Sequence, residues 1–147
     1  MVVKTTAKLK SVLDNEKLDS QLFCNLFKKW KLSKDEHGCY HFGKDSAYVT
    51  PLINGNKYIL RHVHLVPVLD LTQLSLWQKI WRFKGRKTSD RVLIYVKDKK
   101  GNFLLIYILS EPDAHEVARM KTQQHREIME GFAAVAEAFI DYGSIIA

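Results

Sequence analysis

Two histidines stand two residues apart in "YILRHVHLVPV" (Tyr58 to Val68), a stretch that reads as a β-strand. Successive side chains of an extended chain alternate faces, so His62 and His64 point one way while Arg61, Val63 and Leu65 point the other. Two imidazoles on one face can bind a metal, pass protons to and from a substrate, or sit half-solvated on an exposed sheet. A zinc site would need a third ligand from Asp90, Glu111, Asp113 or His115, and no HExxH or paired CxxC accompanies the pair, so no metal is expected. Metal-free RNA cleavage is a second chemistry that suits them. A base takes the 2′-hydroxyl proton, the oxygen attacks the adjacent phosphate, and an acid protonates the leaving 5′-oxygen. The excess negative charge on that phosphate needs fixed cations, for which Arg86, Lys87 and Arg119 are available. Gly43, Gly85 and Gly101 stand alone, so there is no Gly-rich phosphate loop and no cofactor is expected.

The elements that must position these groups follow from the apolar pattern. "DNEKLDSQLFCNLFKKWK" predicts an amphipathic helix capped by Asp14 or Asn15, with Leu18, Leu22, Phe23, Leu26, Phe27 and Trp30 at helical spacing. Residues 31–57 read as a long irregular connection. Within it, "FGKDSAY" is either a structural turn fixed by Gly43 or a loop presenting Lys44, Asp45 and Tyr48 to RNA. Leu69 to Phe83 predicts a short helix with a Thr72 cap and a stripe through Leu76, Trp77, Ile80 and Trp81. "RVLIYV" and "FLLIYIL" flank the turn "KDKKGN" as a hairpin that is apolar on both faces and belongs at the sheet centre. Ser110, Pro112 and Asp113 start a C-terminal helix that docks through Ile128, Phe132, Val135, Ala136 and Phe139 and ends at Gly143. Its polar beginning leaves Lys121, His125 and Arg126 free for RNA. The expected architecture is one compact α+β domain over 1–147, with an N-terminal helix, an antiparallel sheet and a C-terminal helix.

If the histidine strand pairs antiparallel with the strand from Arg91 to Lys97, three polar clusters converge: His62 and His64, the loop "GRKTSD" (Gly85 to Asp90), and "SEPDAH" (Ser110 to His115) leading into Arg119. His64 lies nearest that junction and is the candidate for proton transfer, with His62 supporting it and Asp90 orienting an imidazole. His115 is the rival, and Arg119 one turn later reaches the same phosphate. Each of these positions could equally serve docking, since phosphate contacts commonly outnumber chemical groups at such interfaces.

Composition fits a polyanionic partner. Lys and Arg number 23 against 16 Asp and Glu, a net charge of +7 with a pI near 9.4, which suits RNA, DNA or a phosphate-rich surface. Cys24 and Cys39 lack metal-ligand spacing and read as reduced and structural, which favours a cytoplasmic protein. "FLLIYIL" is too short to span a bilayer and the N-terminus lacks an apolar signal core, so neither insertion nor export is expected.

With these residues in order, the chain resembles the YafO-type toxins of bacterial type II toxin-antitoxin systems. The matching pieces are "FGKDSAY" (Phe42 to Tyr48), "HVHL" (His62 to Leu65), "KTSD" followed by "LIY", and "LLIYIL" followed by "EPDAHEVAR", "QQH" and "AEAF" (Leu104 to Phe139). The resemblance implies a RelE/ParE-like fold and a metal-independent endoribonuclease that cuts messenger RNA in association with the ribosome. It further implies inhibition of translation and a cognate antitoxin as partner. A RelE/ParE-like toxin that blocks its target by binding, or a basic RNA-binding module, are the alternatives.

Overall fold

The two apolar runs of the hairpin are buried along nearly their whole length, and the sheet is assembled around them. The computed structural model describes residues 1–147. Its elements are β1 (Val3–Thr5), α1 (Ala7–Asn15), α2 (Ser20–Leu32), β2 (Phe42–Ala47), β3 (Arg61–Leu65), α3 (Leu71–Arg82), β4 (Val92–Lys97), β5 (Phe103–Leu109), α4 (Ala114–Ala118) and α5 (Gln123–Tyr142). The five strands form one sheet in the order β1-β5-β4-β3-β2. β4 pairs antiparallel with β5 and with β3, and β3 with β2, as an α+β fold with an antiparallel sheet requires. β1 is the exception: it lies parallel to β5, anchored by Phe103 N–H to Val2 O (2.8 Å) and by the Thr6 hydroxyl to Ile106 O (2.7 Å). Three residues are too few to show alternation, so this edge is set by its partner strand.

Each face of the sheet carries its own apolar cluster. On one, Leu9 and Leu13 of α1 and Phe27 and Trp30 of α2 pack against Val63, Leu93, Tyr95 and Leu105. On the other, Met129, Ala136 and Phe139 of α5 cover Ile94, Val96, Leu104 and Ile106. Burial of this kind contributes roughly 1.5–3 kcal/mol per large side chain.

Several boundaries differ from the sequence expectation. Asp14 and Asn15 end α1, whose cap is Thr6, and α2 starts after Asp19, whose carboxylate accepts from Leu22 N–H. Leu18 and Leu22 are consequently exposed, and α2 buries Cys24, Phe27 and Trp30. The connection over residues 31–57 is not irregular throughout, because β2 runs through it as the sheet edge. Asp70, not Thr72, caps α3, taking the N–H groups of Thr72 and Gln73. The C-terminal helix is broken: Met120 adopts a left-handed φ of 56°, and a fresh cap at Thr122 starts α5. Arg126 spans the break, its guanidinium donating to Met120 O and Lys121 O. Gly143, at φ 67°, ends α5 as expected.

β2 is fixed to the loop before β4 by a close backbone approach. Lys44 N–H donates to Lys87 O (2.8 Å), and a Cβ on Gly43 would stand 2.2 Å from that oxygen and 2.9 Å from Trp77 Cη2. Gly43→Ala is therefore expected to destabilise the fold by about 1–3 kcal/mol, the usual range for overpacking, lowering Tm in a thermal melt. Lys44→Ala, which removes a half-buried side chain and keeps the backbone bond, is expected to melt close to the native protein.

Candidate active site

β3 holds the two histidines in register with β4, His62 opposite Ile94 and His64 opposite Val92, so both rings stand on the sheet face that carries those residues. On the other side Ser46 of β2 lies opposite His62, its Oγ 3.1 Å from Nε2. The Tyr48 ring stacks on His62 with centroids 4.0 Å apart. His115, from the first turn of α4, completes a row: His62 to His64 is 5.9 Å and His64 to His115 is 5.7 Å between ring centres. The three clusters expected to converge do meet here.

His64 is clamped by one residue of the preceding loop. Its Nδ1 lies 2.6 Å from Ser89 O and 2.9 Å from Ser89 N. A neutral Nδ1 serves one of these contacts at a time: it accepts from the Ser89 N–H with the ring proton on Nε2, or donates to Ser89 O and leaves Nε2 as the basic nitrogen. Burial pushes the His64 pKa below the ordinary 6.5, an effect partly offset by the Ser89 bond, so the ring is neutral at pH 7. Burial also lowers His62, to about 4, with the neighbouring His64 adding to the effect. Asp90 turns to the third histidine: Oδ1 accepts from His115 Nδ1 (2.6 Å) and from the His115 backbone N–H (2.9 Å). The imidazole that Asp90 orients is thus His115 and not His64.

The expected cations are placed unequally. Lys44 is near enough for its charge to act on both His62 and His64. Arg86 is exposed on the loop. Lys87 is not available to RNA: it is fully buried, its Nζ donating to His37 O (3.2 Å) above the Trp77 ring. Arg119 is exposed and pairs with Glu116 (3.1 Å). Lys121 is exposed, while Arg126 is spent on the α4–α5 break and His125 is a half-buried first-turn residue of α5. Glu111 sits apart, accepting from the N–H groups of Val68 and Leu69. No three His, Cys, Asp or Glu side chains come together in a way that could hold a metal ion.

Ser46, Tyr48 and Ser89 belong to the cleft without having been singled out for these roles. Lys44, Ser46 and Tyr48 recur every second residue, the signature of one strand face, and that signal was present in "FGKDSAY". Nothing local marks Ser89.

The low His62 pKa has a consequence for stability. An unfolded chain binds a proton on this ring near pH 6.5 while the folded chain resists until about pH 4, so stability rises with pH across that window and is lost as pH falls through it. The full difference is on the order of 3 kcal/mol. His62→Gln is expected to flatten this part of a Tm against pH curve. A variant curve as steep as that of the native protein would mean that other groups carry the dependence.

Comparison with known families finds one whose model matches residues 28–141, described as Toxin YafO, type II toxin-antitoxin system. No curated protein and no solved structure gives a significant match. The match covers β2 to α5 almost entirely, including His62, His64, Asp90 and His115. No helix is long and apolar enough to cross a membrane. The chain that carries this imidazole cleft belongs to the YafO family of type II toxin-antitoxin toxins.

Proposed function

We propose that the protein is the toxin component that cleaves messenger RNA in association with the ribosome, without a metal, and that a cognate antitoxin holds it inactive. The observation that carries this reading is the His64 ring, clamped at Nδ1 by Ser89 with its centre 5.7 Å from that of a second imidazole that a carboxylate holds in place. The base is the tautomer with its proton on Nδ1. His64 Nε2 takes the 2′-hydroxyl proton and the 2′-oxygen attacks phosphorus. The bond from phosphorus to the 5′-oxygen then breaks, and His115, acting as the imidazolium with Nδ1–H kept on Asp90, gives its Nε2 proton to the leaving oxygen and is left neutral. Asp90 is the positioning residue for His115. His62, pinned between Ser46 and Tyr48, supports the His64 ring. Lys44 offsets charge on the phosphate, exposed Arg86 and Arg119 add positive charge within four residues of Asp90 and His115, and the +7 net charge favours approach to RNA. Of the three basic positions where α5 begins, exposed Lys121 is the one free to dock RNA, since Arg126 is held at the break and His125 is half-buried.

The test uses translating ribosomes and maps new 5′ ends in the messenger. His64→Gln and His115→Gln are each expected to stay folded by circular dichroism and to cut about a hundredfold more slowly or worse. Because His64 must be neutral to act as base, and burial lowers its pKa, the acidic limb of the rate profile is expected below pH 6.5. A folded His64→Gln that cuts at the normal rate contradicts the assignment. Unchanged RNA with arrested growth would instead fit a toxin that acts by binding alone.

A further inference from the structure

α3 docks on the rest of the molecule through very little of its surface. Trp77 is its one buried residue, the indole N–H donating to Tyr40 O (2.9 Å). Trp81 reaches back to Gly38 O (3.1 Å) and sets its ring edge-on to Tyr40, yet remains 38% exposed. The next aromatic, Phe83, is 78% exposed. It is not on a loose tail. Its N–H donates to Ile80 O, Lys84 takes a left-handed φ of 55° with its N–H on Trp81 O, and Gly85 N–H closes back on Ile80 O (2.9 Å). A closed helix end thus presents the Phe83 ring to water two residues from the partly exposed Trp81.

The charge around that ring says what can cover it. From Leu71 to Ser89 the chain has no Asp or Glu, while Lys79, Arg82, Lys84 and Arg86 are all exposed. None of the four enters an ion pair. Unpaired cations interleaved with exposed aromatic faces fit a polyanion that carries flat apolar groups of its own. Single-stranded RNA is such a ligand: its bases stack on aromatic rings while Lys and Arg follow the phosphates.

We propose that the C-terminal end of α3, through Phe83 and Trp81 with Lys79, Arg82, Lys84 and Arg86, is a docking platform for single-stranded RNA. The proposal rests on the RNA reading of the histidine cleft and says where the strand continues beyond it. Six residues lie between Phe83 and Asp90, seven Cα steps, so the platform lies within about 25 Å of the cleft. The linking loop is fixed at Lys87 O by Lys44 N–H and at Asp90 N–H by Gln73 Oε1. A strand with its reacting phosphate at His64 would meet α3 a few nucleotides away.

Binding of the full chain to a short fluorescent oligouridine, made uncleavable by 2′-O-methyl groups, tests this by anisotropy. Phe83→Ala and Phe83→Leu are expected to weaken Kd by about fivefold to a hundredfold, the effect of losing one stacked base, while Phe83→Tyr binds like the native protein. Arg82→Gln and Arg86→Gln are each expected to lower the slope of log K against log salt by about 0.7. Native affinity in Phe83→Ala overturns the platform. So does native affinity in Phe83→Leu beside a loss in Phe83→Ala, because an aliphatic side chain that suffices marks apolar docking and not stacking. Failure of the platform and of the nuclease reading are separable. A protein that cuts ribosome-bound messenger but binds normally without Phe83 loses only the platform; one that binds through Phe83 and cuts nothing loses only the nuclease.

Discussion

The cleft depends on one seam, where Ser89 meets the end of β3. Its hydroxyl lies 2.6 Å from Leu65 O and 3.0 Å from Arg91 O, acceptors that its single proton can serve, and it accepts from Arg91 N–H. The same residue offers its carbonyl to His64 Nδ1. Both ends of the contact are buried, so neither can exchange its partner for water cheaply. The neighbours of Ser89 extend the constraint. Asp90 ties the loop to α4 through His115, and Lys87 ties it to β2 through Lys44 N–H. Four residues of loop thereby bring three separate elements to one histidine.

Beneath the edge strands a second polar group keeps β2 and β3 in register. Asp45 accepts from the Tyr95 hydroxyl (2.6 Å) and pairs with Lys31 (2.9 Å) and Arg61 (3.2 Å), while Lys31 lies over the Trp30 ring. Burial lowers the Lys31 pKa, and Asp45 opposes that shift. Such partly buried pairs add little net stability because desolvation offsets their attraction, but each leaves a stranded charge if the strand slips. Since a one-residue slip reverses every side chain of β2, holding Asp45 below the sheet also holds Ser46 above it, against His62.

Much of this was legible in the sequence. The hairpin of β4 and β5 was plain because long β-branched and aromatic runs bounded by "KDKKGN" have few other solutions, and His62 and His64 were placed on one face by strand geometry alone. Their meeting with His115 followed from antiparallel pairing. The partner of Asp90 did not, since two imidazoles lie within its neighbourhood and only the start of α4 decides between them. Lys87 read as a phosphate ligand because burial of a lysine leaves no local trace; its amine is held by His37 O, fifty positions away. Ser89 was hidden for the same reason, as its partners are in β3 and in Arg91, the residue before β4.

In the proposed reaction neutral His64 starts a transesterification using the neighbouring 2′-hydroxyl of RNA. Replacing that one hydroxyl by hydrogen in a ribosome-bound messenger, at the nucleotide 5′ to a mapped cut, tests it most directly. The expected result is loss of that cut, with the unmodified messenger yielding a 2′,3′-cyclic phosphate and a 5′-hydroxyl end. Continued cleavage at the deoxy position would show that water or another group is the nucleophile, and would contradict the role given to His64.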